Sequence, residues 1–121
     1  IFEKPTNEIK KLYLSSDIVI NSSVNPEGFG RTISESLALN IPVVGPNLGG
    51  VKEQLENFDS NLLYQVYSCE SLQKALKYTI DNYFDISSKS RDFVIKNFSL
   101  EKMIKDILAT VILILKSLVL I

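Results

Sequence analysis

Two short runs of consecutive apolar residues, Ile18-Val19-Ile20 and Ile41-Pro42-Val43-Val44-Gly45, constrain the fold of this chain more than any other feature. Neither alternates apolar with polar, so neither suits a strand with one wet face. Both suit strands buried on both faces, as parallel strands between helices are. Pro42 fits at the first residue of its strand, where the missing N–H costs least. Between the runs, residues 31–39 show a helical period with apolar positions on more than one side (Ile33, Leu37, Ala38, Leu39), and Asn40 ends the segment. Strand, helix, strand in that order predicts an α/β fold, a Rossmann-like parallel sheet flanked by helices. Leu62-Leu63-Tyr64 is a third strand candidate, and Gly49-Gly50 marks a turn before a short helix through Leu55.

The remaining segments read as helices. Thr6 can cap a first helix with Ile9, Leu12, Tyr13 and Ser16 on one face. Ser68 or Ser71 can start another that carries Leu72, Leu76, Ile80 and Tyr83, and a further helix is expected over residues 88–97. Ser99 caps the last helix, with Phe98 and Met103 at the positions of a hydrophobic staple. From residue 107 to 121 nearly every residue is apolar, interrupted by Ala109, Thr110, Lys116 and Ser117. That run is shorter than the ~20 residues of a membrane-spanning helix. It is expected to be buried against a surface elsewhere. A membrane-surface anchor is the alternative, and the lack of a clear polar face argues against it.

Composition narrows the chemistry. The 121 residues fit one domain, and the net charge of −1 gives no basic footprint for nucleic acid. There is no histidine, which removes His-dependent triads and most transition-metal sites, and one cysteine, Cys69, which cannot form an internal disulfide. A reduced, cytoplasmic setting is expected. The inner face of a membrane is the alternative location. Because the chain begins with isoleucine, it is expected to be part of a longer protein.

The segment Pro26-Glu27-Gly28-Phe29-Gly30-Arg31-Thr32-Ile33-Ser34-Glu35 lies between a buried strand and a helix, at the carboxyl edge of the sheet where ligands bind in open α/β folds. Gly28 and Gly30 remove side chains that would keep a ligand from the backbone. The N–H groups of the first helical turn and the helix dipole favour a phosphate there. Glu35, about one turn into the helix, points its carboxylate back toward the ligand end and can accept two hydrogen bonds from a vicinal diol such as a ribose. Glu27 can do the same for sugar hydroxyls. Arg31 is the one cation beside the loop. It can help neutralise a phosphate, with Thr32 beside it, or stand solvated in the first turn. Each feature has a plainer reading: Gly-x-Gly occurs in many turns, Ile33 stands where a dinucleotide fingerprint has its third glycine, and an early-helix glutamate can simply complement the dipole.

As a whole, the string resembles the signature of family 4 glycosyltransferases: Pro-Glu-Gly-Phe-Gly, a second glutamate after seven intervening residues, then Glu-Ser-Leu-Ala. Asn40-Ile41-Pro42-Val43-Val44-Gly45 with Gly49-Gly50-Val51 is similar to the family's next strand and turn. Leu12-Tyr13-Leu14-Ser15-Ser16-Asp17 resembles its preceding helix end, and Phe98-Ser99 its closing helix. The resemblance implies a GT-B fold of two Rossmann-like domains, of which residues 1–121 would be part of the C-terminal, donor-binding one. Residues 99–121 would be a terminal helix packing on a missing domain. It further implies that Glu27, Gly28 and the backbone of Phe29 and Gly30 contact the donor sugar and that Glu35 holds the ribose. No residue here is assigned as a general base. The parent enzyme would transfer a sugar from a nucleotide-diphosphate sugar with retention, with no cofactor and no essential metal. The partners implied are the nucleotide-sugar donor and an N-terminal acceptor domain. The family's diphosphate-binding arginine and lysine would lie before Ile1, so the chain alone is expected to be inactive. A donor-binding subunit of a split transferase and an inactive remnant are the rival readings, and a glycosidase is disfavoured because nothing sets Glu27 and Glu35 across a scissile bond.

Overall fold

Residues 7–119 are described by the computed structural model. In chain order the elements are α1 (Ile9–Leu14), β1 (Val19–Ile20), α2 (Arg31–Ala38), β2 (Val43–Pro46), α3 (Gly49–Phe58), a 3-10 turn (Ser60–Leu62), β3 (Leu63–Tyr64), α4 (Cys69–Asp81), α5 (Tyr83–Phe98) and α6 (Leu100–Val119). The sheet has the order β1-β2-β3 and is parallel throughout, with Val19 opposite Val43 and Gly45 opposite Leu63. This is the α/β architecture that the two apolar runs predict.

All four residues of β2 are buried, and alternation divides them between two cores. On one face Val43 packs with Ile33 and Leu37 of α2, Val51 and Leu55 of α3, Leu62, and Ile86 of α5. On the other, Val44 packs with Tyr64 and Ala75, and Ile18, Leu72 and Leu76 close around them. At the edge, β1 is thinner, and Ile20 is 45 % exposed.

Several boundaries differ from the sequence expectation, each for a local reason. Pro42 precedes β2 instead of opening it: it has no N–H to donate, while its carbonyl accepts from Val19 at 2.9 Å. Gly49 and Gly50 are the first residues of α3 rather than a turn before it, and that helix continues past Leu55 to Phe58. Leu62 belongs to the 3-10 turn, so β3 begins at Leu63. Ser16 lies beyond α1, its hydroxyl donating to the Leu12 carbonyl, and the Thr6 cap falls outside the described residues. Asn82 is both the last cap of α4 and the first of α5, so Tyr83 opens α5 five residues before the expected start. No glycine or proline marks that junction, which left it invisible to a pattern search.

Asn40 does end its helix, in the left-handed conformation at φ 60°. Its N–H bonds the Leu37 carbonyl and that of Ile41 bonds the Ser36 carbonyl, the paired bonds of a Schellman cap. Ser68 caps α4 by accepting from the Ser71 N–H at 3.1 Å. Ser68→Ala is expected to lower stability by about 1 kcal/mol, read as a shifted urea midpoint with an unchanged slope.

Ser99 caps α6 as expected, accepting from the Lys102 N–H, and Phe98 sets its ring against Phe93 and Phe29. Among the described residues of α6 none is buried against the rest of this chain; Ile107, Val111, Ile114 and Leu118 are all exposed. Among the described residues no helix is long and apolar enough to cross a membrane.

Candidate functional site

The loop between β1 and α2 is tied down at both ends. Asn21, 6 % exposed just past β1, acts as its hub. Its side-chain oxygen accepts from the Ser23 N–H (3.0 Å), its amide donates to Glu27 Oε1 (3.2 Å), and its carbonyl accepts from the buried Tyr64 hydroxyl (2.8 Å). Glu27 is thereby held on the wall of the loop, half-buried.

The other end rests on α3. The Glu27 carbonyl accepts from the Gly50 N–H at 2.8 Å. A Cβ on Gly50 would lie 2.5 Å from the Gly28 carbonyl oxygen, and one on Gly49, at φ +50°, 2.6 Å from the Glu27 carbonyl oxygen. Backbone therefore meets backbone where the helix begins, which only glycine allows. Gly30 is required for packing rather than for ligand access: its φ is +75°, and a Cβ there would meet Val51 Cγ2 at 2.7 Å. Gly28 is the one that keeps a surface open, since a Cβ added there meets nothing within 4 Å. Phe29 lays its ring edge-on against Phe98, with centroids 5.4 Å apart, and remains 46 % exposed.

α2 starts at Arg31, directly after Gly30. Among the described residues, nothing accepts a hydrogen bond from the N–H groups of Gly30, Arg31 or Thr32. Those free donors lie at the positive end of the helix dipole, an arrangement suited to an anion. One turn on, Glu35 directs its carboxylate back along the helix, where Oε1 takes the Arg31 guanidinium at 2.7 Å and Oε2 accepts from the Tyr13 hydroxyl at 3.1 Å. Arg31 is 83 % exposed in this pair and Glu35 33 %, so the pair itself contributes at most a few tenths of a kcal/mol, about 0.3–0.5 for such helix pairs. Glu35, Tyr13, Arg91 and Ile95 line a groove of about 380 Å³ between α1, α2 and α5.

The structure thus groups the expected residues in two sets. Glu27 joins Asn21, while Arg31 and Glu35 join Tyr13. Thr32, half-buried in the first turn of α2, joins the second set through its hydroxyl beside Tyr13. Sequence reading did not single out Asn21, Gln54 or Tyr64, because their value comes from partners more than twenty residues away, apart from the short Asn21 links to Ser23 and Glu27. Among the described residues no group of three or more His, Cys, Asp or Glu is placed to hold a metal ion.

Burial, first, and then the hydrogen bond to Glu35 push the Tyr13 hydroxyl above its ordinary value of 10.0; the Thr32 hydroxyl and the Arg31 charge pull the other way. Tyr64 is raised by burial and Tyr78 by its bond to Asp59. Folding therefore favours the protonated phenols. Their contribution is complete below pH 10 and is lost as pH rises through the folded values. Thermal melts from pH 9 to 11 should show a falling Tm, with a shallower fall in Tyr13→Phe.

A family model for group 1 glycosyl transferases matches residues 1–105. The chain belongs to the group 1 glycosyltransferases. Its relatives include a trehalose synthase of Pyrococcus horikoshii, 29 % identical over 98 residues that make up 78 % of this chain and 23 % of the relative. A D-inositol 3-phosphate glycosyltransferase of Corynebacterium aurimucosum is 32 % identical over 65 % of this chain and 18 % of its own. Among solved structures, a glycosyltransferase from Rickettsia africae superposes with a TM-score of 0.73 at 33 % identity, covering 87 % of this chain and 29 % of that one. Anabaena HepE, in complex with UDP and glucose, gives 0.74 at 25 % identity, over 88 % and 30 %. This glycosyltransferase chain thus spans less than a third of each of these proteins.

Proposed function

We propose that this group 1 glycosyltransferase chain is the donor-binding part of a retaining, family 4 enzyme of the GT-B type, with the acceptor bound by a further domain. The observation that carries the reading is the loop from Glu27 to Glu35: unpartnered N–H groups at the start of α2, flanked by two carboxylates on separate supports. HepE has been crystallised with UDP and with UDP-glucose, which makes a uridine diphosphate sugar the natural first ligand to test.

In this reading Glu27, Gly28, Phe29 and Gly30 take the donor sugar and Glu35 takes the ribose hydroxyls. The ribose displaces Arg31, the more exposed of the two partners of Glu35, and the released guanidinium turns to the diphosphate beside Thr32. Charge stabilisation of the leaving diphosphate needs more cations than Arg31, so turnover requires residues outside this chain. The donor-binding function is tested by calorimetric titration of the chain with UDP. Saturable one-to-one binding supports the reading; heat no greater than that of uridine overturns the diphosphate site.

A further inference from the structure

Gln54 lies on α3, beneath the loop, and is 2 % exposed. Its amide nitrogen donates to the Phe29 carbonyl and, at 3.3 Å, to the Gly30 carbonyl, while its own Oε1 is buried with no partner. The orientation of the amide is fixed by its neighbours: turned over, it would set Oε1 against two carbonyl oxygens. Leaving an acceptor unmade in the interior is costly, and a leucine or methionine would fill the position without that cost.

The geometry of the peptide unit says what the amide accomplishes. In a trans peptide the C=O and the following N–H point in opposite directions. With the Phe29 and Gly30 carbonyls drawn inward to Gln54, the N–H groups of Gly30 and Arg31 face outward together. These two donors are among those left without partners at the start of α2. Two successive N–H groups on one side form a concave anion site. Gly30, in its left-handed conformation, is the residue at which the chain turns to permit this.

We infer that Gln54 is a positioning residue for the donor site, holding the peptides after Phe29 and Gly30 so that the Gly30 and Arg31 N–H groups meet a donor phosphate or sugar oxygen. This rests on the donor-binding reading above. It gives a buried side chain with no ligand contact a part in affinity, distinct from its part in stability.

The test compares the 121-residue chain with Gln54→Met, which keeps volume and flexibility but removes both the donor and the orphan acceptor, and with Gln54→Asn, whose amide falls one methylene short of the carbonyls. Both should weaken UDP binding about tenfold or more and shift the Gly30 and Arg31 amide resonances of the unliganded chain. Gln54→Met relieves the orphan Oε1 but takes the donor from the Phe29 carbonyl, so its Tm should stay close to wild type. A residue that only supports the fold would lower Tm and affinity together. Wild-type UDP affinity in both variants, with the Gly30 and Arg31 resonances unmoved, overturns the role of Gln54 and leaves the donor reading intact. A wild-type chain that does not bind UDP overturns the donor reading and this inference with it.

Discussion

Glu35→Ala is expected to weaken UDP binding by roughly ten- to a hundredfold: the ribose bonds to the carboxylate replace its bond to Arg31, leaving a net loss of about one charged hydrogen bond, about 1.5–3 kcal/mol. The fold should tolerate the change. The partner Arg31 is 83 % exposed and returns to water, and the Tyr13 hydroxyl loses a single bond. Stability should fall by no more than about 1 kcal/mol, so a loss of affinity with little change in Tm identifies a ligand contact. Uridine, which carries the ribose without the diphosphate, should lose affinity by the same factor, whereas inorganic pyrophosphate should be nearly unaffected. Equal UDP affinity in wild type and variant would remove Glu35 from the site.

Gly50→Ala should produce the second large effect, and of the opposite kind. The added Cβ would fall 2.5 Å from the Gly28 oxygen and 2.7 Å from Phe29 Cα, backbone atoms that no side-chain rotation can clear. The loop must lift off α3 and the Gly50–Glu27 bond must lengthen. Overpacking of this sort costs about 1–3 kcal/mol, and the displaced loop should lose UDP affinity at the same time. Urea titration read beside calorimetry checks both. An unchanged midpoint would show that the loop is not seated as described. Gly28→Ala, at the open position, is the control: its Cβ meets nothing, so stability should stay close to wild type while affinity for a bulky donor declines.

The parts of the fold that the sequence made legible are those where one rule acts alone. The unbroken run Val43-Val44-Gly45 could only be a strand covered on both sides, and both cores meet there. Asn40 stops α2 because a short polar side chain tolerates the left-handed conformation. The Asn82 junction was hidden because the residue serves two helices at once and carries no breaker. The tail was legible as helix, since periodicity reports what an element needs to bury without naming what covers it.

The same division runs through the site. Glu27, Gly28, Phe29 and Gly30 are contiguous and Glu35 stands about one helical turn on, so a local reading is enough to propose them as donor contacts. The supports were not visible: Tyr64 reaches Asn21 from 43 positions away, Gln54 reaches Phe29 from 25, and Tyr13 reaches Glu35 from 22. Nothing in the residue type announces such a link. Gly30 was legible as special but for a different reason, ligand access having stood in for a positive φ over Val51.

The most direct measurement is an amide-resolved NMR titration of the chain with UDP. The account predicts saturable shifts concentrated at Gly28, Gly30, Arg31 and Thr32, with a side-chain response at Glu35 and little change along α6. Shifts absent from that loop, or gathered instead on another surface while the loop stays silent, would contradict it.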